Sequence, residues 1–115
     1  MIEHPPDEHI LTNILKVSAK SNPNAVAGAL AAVMRDREQA ELQAVGAGAI
    51  NQAVKAIAIA RAYLKGSHVD LVCVPSFIDV AIEGTSRTGI SLHVAKSHPE
   101  GSTGGESAAS PSANA

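Results

Sequence analysis

Between Thr12 and Ala95 the apolar residues alternate between two spacings, and the order in which those spacings follow one another leaves few folds open. A period of two marks a strand and a period of 3.6 marks a helix. Leu15 and Val17 share one face with Lys16 opposite, which predicts a strand over 12–18. Asn22-Pro23 then sets a capping side chain before a proline at the first helical position, where the missing N–H costs nothing. Val26, Leu30, Val33 and Met34 carry helical spacing to about Arg37. A short strand over 40–45 follows. Gly46-Ala47-Gly48-Ala49 leads into a second helix, from about Ala49 to Leu64, and Gly66-Ser67 ends it. A strong strand starts at Val69 and continues past Pro75 to Ile82. After a tip at 83–86, the last strand, Arg87 to Ala95, alternates Ile90, Leu92 and Val94 inward with Ser91 and His93 outward. Proline donates nothing to a ladder, so Pro75 marks a bulge or a sheet edge. The order β-α-β-α-β-β predicts an α/β two-layer sandwich: a four-stranded sheet, two helices and a terminal β-hairpin.

The side chains available to fill such a sandwich are small. Hydrophobic residues make up 45% of the 115, yet Tyr63 and Phe77 are the only aromatics. The core must come from Val, Ile, Leu and Ala, which lets helices lie close to a sheet. The second helix has two apolar stripes: Ile50, Val54, Ile57 and Leu64 on one side, Ala56, Ile59 and Tyr63 on another. One stripe serves the sheet, and the second predicts an oligomer interface at Ala56, Ile59 and Tyr63.

The domain is expected over 12–96. Residues 1–11 lack periodicity, and 97–115 are mostly Ser, Gly, Ala and Pro, so both flanks are expected to be disordered. Met1 to His9 is too polar for a secretory leader, and no apolar run approaches the roughly 18 residues that span a bilayer. The expectation is a cytoplasmic protein. The net charge of −2 is unevenly spread. All nine Lys and Arg lie between Lys16 and Lys96 with six of the eleven acids, so that segment carries +3 and the flanks −5. A mildly basic domain suits a phosphate-bearing partner.

Catalytic patterns are missing from the sequence. Cys73 stands among apolar neighbours in mid-strand and reads as a core thiol. His4, His9, His68, His93 and His98 have no metal-ligand spacing, and Ser18 and Ser21 have no triad partners. No phosphate-binding loop or complete dinucleotide fingerprint occurs. The reading is of a chain that is not an enzyme and takes no metal or cofactor.

Two stretches carry a family resemblance. Leu15 to Leu30 (LKVSAKSNPNAVAGAL) and Gln43 to Arg61 (QAVGAGAINQAVKAIAIAR) closely resemble the stage V sporulation protein S family, and the likeness extends over roughly 13–96. The resemblance implies a bacterial regulator linked to sporulation, with a fold similar to Alba, a chromatin protein that binds DNA and RNA as a dimer. It therefore implies an Alba-like sandwich, a nucleic-acid partner, and a homodimer or higher oligomer. Placed on this sequence, it makes the loop after the first strand a backbone-binding element, with Lys20 and Ser21 as contacts. Asn51 and Lys55 follow on the second helix, and Arg87 lies near the hairpin tip. The turn Gly46-Ala47-Gly48 departs from Alba, which tends to have arginine there; bare glycines point either to close packing or to an anion nest. Arg61 reads as an ion-pair former. The competing reading is a protein-interaction module that binds no nucleic acid. A third is a small-ligand site at the glycine turn.

Overall fold

A computed structural model describes residues 13–97 of the chain. The expectations for the two flanks lie outside the described residues. The elements are β1 (Ile14–Val17), α1 (Pro23–Asp36), β2 (Gln39–Ala44), α2 (Ala47–Leu64), a 3-10 turn (Lys65–Ser67), β3 (Asp70–Ile82) and β4 (Thr85–Ser97). The strands form one four-stranded sheet in the order β1-β2-β4-β3. β1 and β2 are parallel, joined through α1, and the other pairings are antiparallel. The two helices and the terminal hairpin give the α/β Alba-like sandwich, as the order of periods predicts.

Local chemistry fixes the ends of the elements. The Asn22 side chain accepts from the backbone N–H groups of Asn24 (2.8 Å) and Ala25 (3.3 Å), and Pro23 opens α1. This is the N-cap that the sequence predicts. The hairpin turns on two residues, Glu83 and Gly84, both with positive φ (52° and 78°). Such a turn matches the twist of the strands it joins, so the ladder starts at once on either side. It pairs every residue of β3 with one of β4, from Asp70 opposite Ser97 to Ile82 opposite Thr85. Pro75 does not interrupt that pairing: it marks an edge strand, the second of the two alternatives for a strand proline.

The core lies between one sheet face and the helix pair. α1 contributes Ala27, Leu30, Ala31 and Met34, and α2 contributes Ala49, Ala53, Ala56, Ile57, Ala60 and Leu64. Alanines at the contact let the helix backbones approach closely. The sheet adds Val17, Ala40, Leu42, Ala44, Leu71, Leu92 and Val94.

Following rows across the sheet shows where this cover stops. In the row Val17, Ala44, Ile90, Phe77, exposure runs from 6% and 1% through a half-buried Ile90 to 80% at Phe77. In the row Ala40, Val94, Cys73, only Cys73 is exposed. The helices cover β1, β2 and β4 but leave most of β3 bare. Cys73 is therefore not the core thiol its apolar neighbours indicate, and Val54 is 52% exposed rather than buried with its stripe. Ser91 also departs from expectation. It points to the helix-free face but is only 5% exposed, because its hydroxyl donates to Glu41 Oε2 (2.8 Å), which also accepts from Gln43 Nε2 (3.0 Å).

Candidate nucleic-acid interface

The parallel pairing of β1 and β2 decides where the polar groups gather. Each strand is followed directly by a helix, so α1 and α2 both start at the same end of the sheet. Neither helix has an acidic residue in its first turn. Two positive dipole ends therefore face the same way; the first N–H groups of α1 are taken by Asn22, while α2 has no side-chain cap and its first N–H groups are the ones that could meet an anion.

The loop that carries Lys20 is held by its serines. Ser21 Oγ accepts from the Ser18 N–H (2.9 Å), the Ser21 N–H donates to the Ser18 carbonyl (3.0 Å), and the Lys20 N–H donates to Ser18 Oγ (3.2 Å). With the backbone closed in this way, the Lys20 side chain is left exposed. α2 locks onto the same loop. Gln52 Nε2 donates to the Ser21 carbonyl (3.0 Å), so Gln52 is a half-buried clamp rather than an exposed neighbour of Asn51. Gly48 packs against Ala19 so tightly that a Cβ on Gly48 would lie 3.0 Å from that of Ala19. Gly46, with φ of 94°, makes the turn that allows the approach. The packing role of the glycine turn is thus visible in the geometry.

Asn51 and Lys55 lie one turn apart on the exposed surface of α2, adjoining the Lys20 loop through the Gln52 clamp. The sheet ends level with this surface on β1 and β2, but the hairpin continues. Ala44, the last residue of β2, pairs with Ile90, and Arg87 lies three residues further out, roughly 10 Å beyond the end of β2 at strand spacing. The arm projects from the same end as the helix N-termini and carries Arg87 together with Asp79 and Glu83. The body acids are elsewhere. Asp36 ends α1 and Glu38 follows it, Asp70 starts β3, and Glu41 is bonded within the sheet. Among the described residues, neither the Lys20 loop nor the first turn of α1 or α2 carries an acidic side chain.

Arg61 forms the ion pair expected of it. Its Nε and an Nη contact both oxygens of Asp70 at 2.7 and 3.1 Å. That hydrogen bonding lowers the Asp70 pKa; partial burial works against it, and the Leu71 N–H and the Arg61 charge assist. Because the folded-state value is depressed, the stabilisation is complete above the unfolded carboxyl range near about 4. It is lost as pH falls through the folded value. Both side chains are about half exposed, so the pair contributes no more than about 1 kcal/mol. Asp70→Asn should lower the urea midpoint slightly at neutral pH, and the difference should vanish in acid. An undiminished difference in acid would assign the effect to packing.

The expected interface residues on α2 do not share one outward face. Ala56 is fully buried in the domain's own core and cannot line an interface; Ile59 packs partly against that core; Tyr63 is 46% exposed. The stripe was drawn by helical spacing alone, and small residues such as Ala56 fit an inward position just as well. Larger exposed apolar side chains lie on Val54, Val72, Val74 and Phe77. For the three on β3, Pro75 as an edge marker is the signal in the sequence. A surface pocket lined by Asn13, Arg37, Glu41 and His93 lies at the far end from the glycine turn.

Fold and surface together define an Alba-like α/β sandwich with a projecting hairpin. The family model of stage V sporulation protein S (SpoVS) matches residues 13–97, the whole described domain. The chain belongs to the stage V sporulation protein S family.

Proposed function

We propose that this chain is a sporulation-related regulator that binds the backbone of DNA or RNA as an Alba-like homodimer in the bacterial cytoplasm, with no catalytic activity. One observation carries the reading. Lys20 stands exposed in the loop before α1, and Lys55 is exposed on α2 one turn beyond Asn51, while among the described residues the body acids lie elsewhere. Phosphate is the ligand such a surface suits, because helix dipoles, the uncapped N–H groups of α2 and lysines all act on it without reading sequence. Ser21, Asn51 and Arg87 extend the contact as a neutral donor in the loop, a neutral donor on α2 and a cation on the arm. Two aromatics offer no platform for stacking single-stranded bases, which favours duplex over single strands.

A titration of the full chain against fluorescent duplex DNA and single-stranded RNA tests the reading. Lys20, Lys55 and Arg87 from two protomers give a log–log salt slope of about −5 on duplex, a loss of about 10³ in affinity between about 50 and 200 mM salt. Absence of binding to both probes at low salt would overturn the reading. It would favour the second one, a protein-interaction module, for which the bare apolar strand β3 is the supporting observation.

A further inference from the structure

At the end of the sheet away from the glycine turn, a pocket of about 270 Å³ is lined by Arg37, Gln39, Glu41 and His93, with Asn13 and Ile14 beside them. Sites for drug-sized ligands run to roughly 300–1,000 Å³, so this one suits a smaller molecule. Its floor is a row across the sheet: Ile14 pairs with Glu41, and Glu41 with His93. Their neighbours Leu42 and Val94 are buried under the helices, so Glu41 and His93 lie on the helix-free face. Two opposite charges line this pocket, and neither has a counter-ion among the described residues. The Arg37 side chain makes no hydrogen bond or ion pair there, and no Lys or Arg pairs with Glu41. The Glu41 carboxylate is nevertheless held in place, because Ser91 and Gln43 both donate to Oε2, at 2.8 and 3.0 Å. Ser91 is only 5% exposed, so a buried hydroxyl serves to orient this carboxylate. Among the described residues Oε1 receives no donor. Glu38, also on the lining, is paired with Lys96.

We infer that this pocket binds a free aliphatic α-amino acid as its zwitterion, with the α-carboxylate on Arg37 and the α-ammonium on Glu41 Oε1. The pair of charges selects such a ligand. A plain anion suits Arg37 but meets the Glu41 carboxylate. A plain cation suits Glu41 but meets the guanidinium. A small molecule with one charge of each sign, a few bonds apart, satisfies both. The guanidinium fork matches a carboxylate with two parallel hydrogen bonds, and an ammonium on a carboxylate is charge-assisted in the same way. The lining sets the side chain. Ile14 is half-buried and Ala40, which also borders the pocket, is buried, so the remaining wall offers aliphatic surface. The site lies at the opposite end of the sheet from the Lys20 loop, and the inference stands without the nucleic-acid reading.

Titration of the full chain with L-leucine, L-valine and glycine tests the inference with no nucleic acid present. Calorimetry gives the affinity, and the ring-proton NMR signals of His93, identified by their loss in His93→Gln, report the place. Leucine or valine should shift those signals saturably at millimolar concentration. N-acetyl-L-leucine lacks the ammonium and L-leucinamide lacks the α-carboxylate; each should bind at least about tenfold more weakly than leucine. The same loss is expected for leucine with Glu41→Gln and with Arg37→Gln, the circular dichroism spectrum being unchanged. Arg35→Gln, which removes a neighbouring cation outside the pocket, should bind as the wild type does. No saturable response to any of the three amino acids would overturn the inference, and residues 1–12 seated in the pocket would give that same silence. Blocked leucines that bind as tightly as leucine would also overturn it, as would full affinity in Glu41→Gln or Arg37→Gln. Should either variant fail to fold, the two blocked leucines test the same charges on the wild-type protein.

Discussion

Reversing the charge at Lys20 and Lys55 together is expected to abolish nucleic-acid binding while leaving the domain folded. Both side chains are exposed, Lys20 in a loop held by backbone and serine contacts and Lys55 mid-way along α2. Neither fills the core, so the melting curve should shift by no more than about 0.5 kcal/mol. Binding has no such reserve. The domain carries only +3, and of the three cations assigned to the surface this variant removes two and replaces them with repulsive charges. In a dimer four of about six phosphate contacts disappear, and the salt slope should fall from about −5 to about −2. Affinity should drop at least about a hundred-fold at moderate salt. Binding as tight as the wild type's, with an unchanged slope, would place the contact elsewhere on the molecule. Loss of binding together with loss of the fold would be an uninformative variant, so Lys20→Gln with Lys55→Gln serves as the companion. It keeps the size and polarity of the side chains and should flatten the slope by the same amount.

The largest loss of stability should come from Leu30→Ala, at about 3–5 kcal/mol in urea unfolding. The physical reason is the composition of the core. Eight of its seventeen members are alanine, and the largest fully buried side chains are Leu30, Met34, Leu42, Leu64 and Val94. Each therefore holds a bigger share of the buried area than a leucine surrounded by aromatics would. Leu30 is fully buried on α1, and a core rich in alanine has few long side chains to lean into a gap. A domain of this length is stable by roughly 4–13 kcal/mol, so the substitution removes a large fraction of the total. A loss below about 1 kcal/mol would mean that α1 is not packed as described. Val26→Ala, at a half-buried position on the same helix, should cost distinctly less.

Much of this architecture could be read from local pattern because each signal acts locally. Asn22 caps α1 through groups two and three residues away, and Pro23 fixes the first helical turn. The alternation of Leu92 and Val94 with His93 fixes which face of β4 meets the helices, since successive strand residues point opposite ways. Strand ends were less legible. β1 is four residues long where the pattern extends over seven, while β4 runs past both its expected ends because the two-residue turn allows pairing from the first residue. Of the candidate surface, Lys20 and Asn51 lie toward the end of the sheet where the helices begin, and Lys55 lies mid-way along α2. That Gln52 clamps the loop, and that Ser91 is closed off by Glu41, depends on partners 31 and 50 residues away in sequence and leaves no local trace.

The sequence by itself determined the order of elements, the caps, the alanine-based core and the exposed lysine after the first strand, because period, propensity and capping act within a few residues. The tertiary structure decided which strand is left uncovered. β4 inserts between β2 and β3, which moves β3 to the edge beyond the helix layer, and that placement leaves Cys73 and Phe77 uncovered on the helix-facing side, while Ala56 lies in the core. Burial is a property of what lies across the sheet, and a row such as Val17, Ala44, Ile90 and Phe77 exists only once four separate strands have come together.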